Sequence, residues 1–152
     1  MQAARDAADH ALQAARALGR RAILLQGWAQ AGPVDDQPDC FVVGEVNQQA
    51  LFRRVAAVVH HGGAGTTTAA TRAGVPQVVV PQILDQPYWA GCVARLGIGV
   101  AHPASAPNLD SFTEALRAAL QAETQARAAD IGSRVRPDGA LVAAKRILHR
   151  AV

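Results

Sequence analysis

Two stretches of the sequence hold residues whose types and spacing can do chemistry. The first is VVHHGGAGTTTAATRAG, Val58 to Gly74, which passes from β-branched apolar residues through two histidines and a glycine-rich turn into threonines and alanines. Read as strand, turn and helix, it brings free backbone N–H groups and the positive end of a helix to one place. Gly62, Gly63 and Gly65 let the backbone approach an anion closely, and Thr66 to Thr68 offer an N-cap and hydroxyl donors. That combination suits a phosphate or diphosphate. His60 and His61 end the strand, where one of the two rings can point into the crevice and donate to a phosphate oxygen. No nearby Cys, Asp or Glu completes a ligand set around these histidines, so no metal is expected. The dinucleotide fingerprint GxGxxG and the phosphate loop GxxxxGK[ST] are both missing. Many α/β folds use a glycine turn for tight packing alone, so the turn by itself does not decide between packing and binding.

The second stretch is PQILDQPYWAG, Pro81 to Gly91. Asp85 and Gln86 stand side by side at the expected start of a helix. An adjacent acid and amide can make several directional hydrogen bonds to neighbouring hydroxyls, which is what holding a sugar requires. Taken alone, Asp85 reads first as a simple N-cap, and Tyr88 and Trp89 read as core or interface packing.

The elements that must position these residues alternate between helix and strand. Apolar spacing predicts a helix over Ala3–Leu18, stopping at Gly19, then a buried strand over Arg21–Gln26. A Gly, Pro and Asp-rich loop over Ala31–Asp39 precedes a strand over Cys40–Val43 and a short helix over Gln48–Arg54. Strands follow over Ala56–His60, Gln77–Val80 and Ile98–Ala101, with helices over Thr66–Ala73 and Asp85–Leu96 between them. From Asp110 onward the pattern is helical, with a break near Arg136–Gly139. Short apolar strands separated by helices predict one α/β domain over residues 1–152, a Rossmann-like doubly wound parallel sheet. Such a domain opens with a strand that lies in the middle of its sheet, whereas this chain opens on a helix. The first strand is therefore expected to be lacking. Its two neighbours would then carry uncovered edges, to be met by a partner segment or a second copy of the chain, as in a homodimer.

Half of the residues are hydrophobic and 18% are charged, as in an ordinary globular domain. No apolar stretch is long enough to span a bilayer and no signal-peptide core is present, so the expectation is a cytoplasmic protein without stable membrane insertion. The formal net charge is +3, but the arginines are scattered and aromatics make up only 4% of the residues, which argues against nucleic acid as a partner. Cys40 and Cys92 have neither metal-type spacing nor a disulfide framework and read as small buried apolar residues.

Together the segments VGEVNQQALF, VVHHGGAGTTTAATRAGVPQVVVPQILDQPYWAG and LGIGVAHP, spread over Val43 to Pro103, resemble the donor-binding signature of GT-B glycosyltransferases. The likeness is greatest to the enzymes that glycosylate glycopeptide (vancomycin-type) antibiotic aglycones, with sterol glucosyltransferases a step further away. The resemblance implies that this is the C-terminal, nucleotide-sugar-binding half of an inverting glycosyltransferase. Such an enzyme moves a hexose from a UDP- or dTDP-sugar to an acceptor hydroxyl on a small molecule, in natural-product glycosylation. It implies that His61 contacts the donor phosphates and that Gly63, Ala64, Gly65 and Thr66 hold the diphosphate. Asp85 and Gln86 would bind the hexose hydroxyls. The loop with Glu45 and Val46 would receive the base, with Trp28 packing beside it. No cofactor and no metal ion are implied. No catalytic residue is assignable, because the general base of this family lies in the N-terminal acceptor domain, the implied partner. The related plant signature has tryptophan where Glu45 stands and a ribose-binding glutamate where Ala69 stands, which makes a deoxyribose donor more plausible. The alternative is a stand-alone nucleotide-sugar-binding protein or an inactive remnant.

Overall fold

In the computed structural model, residues 2–26, 37–103 and 106–150 are described. Five short strands form: β1 (Ala22–Leu25), β2 (Cys40–Val43), β3 (Val58–His60), β4 (Gln77–Val79) and β5 (Gly99–Ala101). Seven helices accompany them among the described residues: α1 (Gln2–Ala17), α2 (Gln48–Phe52), α3 (Ala64–Ala73), α4 (Gln86–Arg95), α5 (Leu109–Ala119), α6 (Ala122–Arg134) and α7 (Gly139–Arg150). Every strand pairing among the described residues is parallel, as continuous apolar runs between helices require. The α/β class and the break before Gly139 follow the sequence reading. A second break, at Leu120–Gln121, separates α5 from α6.

The start of α3 corrects the sequence reading. The helix opens at Ala64, with Gly63 as its N-cap in extended conformation and no side-chain cap. Thr66 to Thr68 therefore lie inside the helix and none of them is its cap. The hydroxyl of Thr67 is turned back onto the Gly63 carbonyl at 2.9 Å, a bond available to threonine within a helix.

The middle strand β4 organises the core. Val78 and Val80 face Ala14 of α1 and Phe112, Ala115, Leu116 and Ala119 of α5. Val79 points the other way, toward Ala90 and Val93 of α4, Ile98, and Ala128 of α6. Gln77, Val78 and Val79 are wholly buried. This strand thus carries helices on both faces, as a doubly wound sheet does.

The sheet is interrupted. β1 pairs with β2 and β4 lies between β3 and β5, but the two ladders are not hydrogen-bonded to each other among the described residues. Helix α1 joins them. It packs on α5 and reaches β1, and Arg16 holds Asp39 in a two-pronged ion pair of 2.8 and 2.6 Å. Midway along α1 the ring of His10 lies 3.1 Å from the carbonyl of Pro107. Ile23 and Leu25 on β1 and Val59 on β3 are 41%, 39% and 38% exposed, far more than the valines of β4. An interruption between β1 and β3 is where a doubly wound order places its central strand. The two cysteines are free and half-buried rather than buried.

Candidate functional site

The glycine turn is built by close approach. Gly62 has φ +95°, and a Cβ there would lie 2.7 Å from the Val79 side chain and 3.2 Å from the Gln86 carbonyl. Only glycine accepts both the backbone angle and the contact. The contact has a consequence for function, because Gln86 opens α4 from the second chemical cluster. The end of β3 and the start of α4 therefore meet at Gly62, so the turn and the Asp85–Gln86 pair, far apart in sequence, lie side by side.

Beyond Gly62 the chain enters α3. The first bond of the helix runs from the Thr67 amide to the Gly63 carbonyl at 3.0 Å. The amides of Ala64, Gly65 and Thr66 lie in the first turn, where no intrahelical acceptor exists, and no side chain among the described residues caps them. Ala64 and Gly65 are exposed and Thr66 is half-buried. A helix N-terminus in this condition favours an anion.

The two histidines divide their roles by burial. His61 is exposed, and its ring lies beside Gly63, where a Cβ would come within 2.9 Å of Nε2. His60 turns inward. Its Nδ1 accepts from the Gly62 amide at 3.0 Å, and its Nε2 lies 2.9 Å from Oε1 of Gln77. Burial lowers its pKa from 6.5 to about 4; the Gln77 hydrogen bond raises it and the charge of His61 lowers it further. Of the two rings, then, only His61 can serve the crevice.

In the second cluster, Asp85 is the N-cap residue of α4 yet makes no capping hydrogen bond through its side chain. Its exposed carboxylate instead receives the indole N–H of Trp89 at 2.9 Å. Trp89 was expected to do no more than pack, yet it holds Asp85 in place. The signal for this was present in the i, i+4 spacing, which puts the two side chains on one helix face. Tyr88 stands edge-on to Trp89 with ring centroids 5.3 Å apart. Gln86 folds its Oε1 back onto the amides of Gln82 and Ile83, at 2.7 and 3.1 Å. These bonds close the loop over which Leu84 takes a φ of 57°. They use the amide oxygen and leave the NH₂ as the group that can donate outward.

Glu45 and Val46 lie between β2 and α2, Glu45 exposed and Val46 half-buried. Asn47 follows them as the cap of α2, its side chain accepting from the Ala50 amide at 3.1 Å. A shallow hollow of about 390 Å³ separates α2 from the start of α3, lined by Gln49, Ala64, Gly65, Thr68, Ala69 and Arg72. It runs from the glycine turn along α3, and Gln49 and Arg72 give it polar walls that the sequence reading did not single out. Trp28 lies outside the described residues. Among the described residues no group of three His, Cys, Asp or Glu side chains could hold a metal ion, and no helix is long and apolar enough to cross a membrane.

The sequence profile of the erythromycin biosynthesis protein CIII-like C-terminal domain matches residues 10–141. The chain belongs to this family. It is also 59% identical over 144 residues to glycosyltransferase GtfE of Amycolatopsis orientalis, a match covering 95% of this chain and 35% of that protein. It is 57% identical over 143 residues to vancomycin aglycone glucosyltransferase of the same organism, covering 94% of this chain and 35% of that protein. The chain thus spans about a third of the length of these relatives. Among solved structures it resembles the spinosyn rhamnosyltransferase SpnG complexed with thymidine diphosphate, with a TM-score of 0.75 and 27% identity. That match covers 90% of this chain and 39% of the other. The CIII-like domain is therefore the C-terminal domain of natural-product glycosyltransferases of GT-B fold, and the parallel sheet, its helices and the glycine turn described above are its architecture in this chain.

Proposed function

We propose that this chain is the donor-binding domain of an inverting glycosyltransferase that takes a hexose from a dTDP- or UDP-sugar. The observation that carries this reading is the contact of Gly62 with Gln86. It joins an uncapped helix start, suited to a diphosphate, to an acid–amide pair suited to sugar hydroxyls. A nucleotide-sugar needs both within one molecule's length.

In this reading His61 and the amides of Gly63, Ala64, Gly65 and Thr66 hold the diphosphate. Asp85, steadied by Trp89, and Gln86 take the sugar hydroxyls. The nucleoside lies toward Glu45 and Val46, along the hollow walled by Gln49 and Arg72. Ala69 in that hollow leaves room rather than an acceptor for a 2′-hydroxyl, and SpnG, a structural neighbour, is complexed with thymidine diphosphate; both favour a dTDP donor. As an acceptor hydroxyl attacks the anomeric carbon, the bond to the diphosphate breaks and negative charge grows on the leaving group. His61, the turn amides and the α3 dipole are aimed at that charge, which is electrostatic preorganisation. This donor set meets the charge with N–H groups, so the reading assigns no metal ion to it. The acceptor pocket and the base that removes the acceptor proton would come from the acceptor domain of a longer protein.

The test separates sugar from nucleotide. Asp85→Ala is expected to weaken binding of dTDP-glucose or UDP-glucose about tenfold, the worth of one or two lost hydrogen bonds, and to leave the bare nucleotide unaffected. Equal losses for both ligands would refute the assignment of Asp85 to the sugar.

A further inference from the structure

We infer that His60 is a positioning residue for the glycine turn, acting from its buried side through a one-way chain of hydrogen bonds. The inference rests on reading the turn as the diphosphate site, and it concerns a residue that does not touch the ligand. The chain begins at the Gly62 amide, which donates to His60 Nδ1 at 3.0 Å. That bond fixes the tautomer: with Nδ1 accepting, the ring proton sits on Nε2 and is donated to Oε1 of Gln77 at 2.9 Å. The Gln77 amide nitrogen donates to the Thr71 hydroxyl at 3.0 Å. Thr71 in turn donates to the Thr67 carbonyl at 2.8 Å. Thr67 itself donates through its hydroxyl to the Gly63 carbonyl at 2.9 Å. The network therefore starts at one glycine of the turn and returns to the next.

Gln77 explains why the chain exists. It is a wholly buried polar side chain at the start of β4, followed in that strand by two valines. Burying an amide is costly unless both of its ends are bonded, and here both are. Register places it correctly: Gln77 pairs with Val58 and Val79 with His60, so Gln77 and His60 lie on one face of the sheet, beneath α3. A valine at 77 would pack as well in an apolar core but would leave His60 Nε2 without this acceptor. Helix, middle strand and turn are thus tied by polar bonds whose donors and acceptors fit in one direction only. The result at the surface is that the Gly62 N–H is held inward. This fixes where the chain presents the amides of Gly63, Ala64 and Gly65.

Two conservative variants each keep one of the two ring contacts. His60→Asn places an amide oxygen near the position of Nδ1, able to accept from Gly62, and gives up Gln77. His60→Gln reaches toward Gln77 and gives up the Gly62 amide. Exchange of the Gly62 amide with solvent deuterium, followed without ligand, is expected to stay slow in the asparagine variant and to become fast in the glutamine variant. In titration with dTDP, the asparagine variant is expected to keep its affinity and the glutamine variant to lose about tenfold, the effect of one misplaced charge-assisted bond. A purely structural role would make affinity follow thermal stability in both variants alike. Equal Gly62 exchange in the wild type and both variants, or affinity that follows stability, would overturn the inference. A wild-type chain with a protected Gly62 amide but no affinity for dTDP would instead overturn the reading of the turn as the diphosphate site.

Discussion

At the scale of single residues, the turn asks for opposite properties from adjacent histidines. His61 is exposed beside the turn, and replacing it with alanine is expected to weaken nucleoside-diphosphate binding by about 1–3 kcal/mol, the range for a charge-assisted contact. Unchanged affinity in calorimetry would remove it from the site. His60 is held neutral, and this makes it a pH-dependent element of stability. Its pKa falls from 6.5 to about 4 on folding, so below pH 6.5 the unfolded chain takes up a proton that the folded chain refuses. Stability contributed by the ring is complete above pH 6.5, declines as pH falls toward 4 and levels off below it, a loss on the order of 3 kcal/mol. Urea denaturation over that interval, compared with His60→Asn, should show the extra slope only in the wild type. Parallel curves would contradict the burial of His60.

The elements were legible in the sequence where periodicity and punctuation agreed, and less so where side chains chose their own partners. The strands emerged from their short apolar runs, and Gly74, with a φ of 72° at the end of α3, stopped its helix as read. The start of α3 was misplaced by two residues because three threonines spell an N-cap, while the hydroxyl of Thr67 had a better acceptor in the Gly63 carbonyl. The α5–α6 break has no signal in the sequence, because Leu120 and Gln121 carry no turn chemistry. Of the candidate site, the residue types could be read but not the contact between Gly62 and Gln86, which depends on how β3 and α4 pack. The buried role of Gln77 was hidden inside an apolar strand for the same reason. Helix α5 shows a cap that local chemistry does determine: Asn108 accepts from the Ser111 amide at 2.9 Å and Ser111 accepts from the Asn108 amide at 3.0 Å. Asn108→Ala should lower the stability of the chain by about 1 kcal/mol in thermal denaturation. No change in melting temperature would show that this helix end is held by packing alone.

At the scale of the molecule, the interrupted sheet and the proposed function belong together. Two ladders held by α1 and the Arg16–Asp39 pair each turn one of their edges, β1 and β3, to the interruption, beside half-exposed Ile23, Leu25 and Val59. In a parallel ladder alternate residues turn their N–H groups away from the paired strand. Amides along these edges are therefore expected to exchange with solvent much faster than those of Val78 and Val79 in β4. They should become protected in a longer protein that supplies a strand between them. Uniform protection across all five strands of the chain alone would contradict the interruption. The central claim, however, is that the glycine turn and the acid–amide pair form a nucleotide-sugar site, and its most direct test is calorimetric titration of this chain with dTDP, UDP and their glucose conjugates. Saturable binding of the nucleoside diphosphates is expected, tighter for dTDP, with a further gain for the sugar conjugate. A folded chain that gives no heat beyond dilution with any of the four ligands would contradict it.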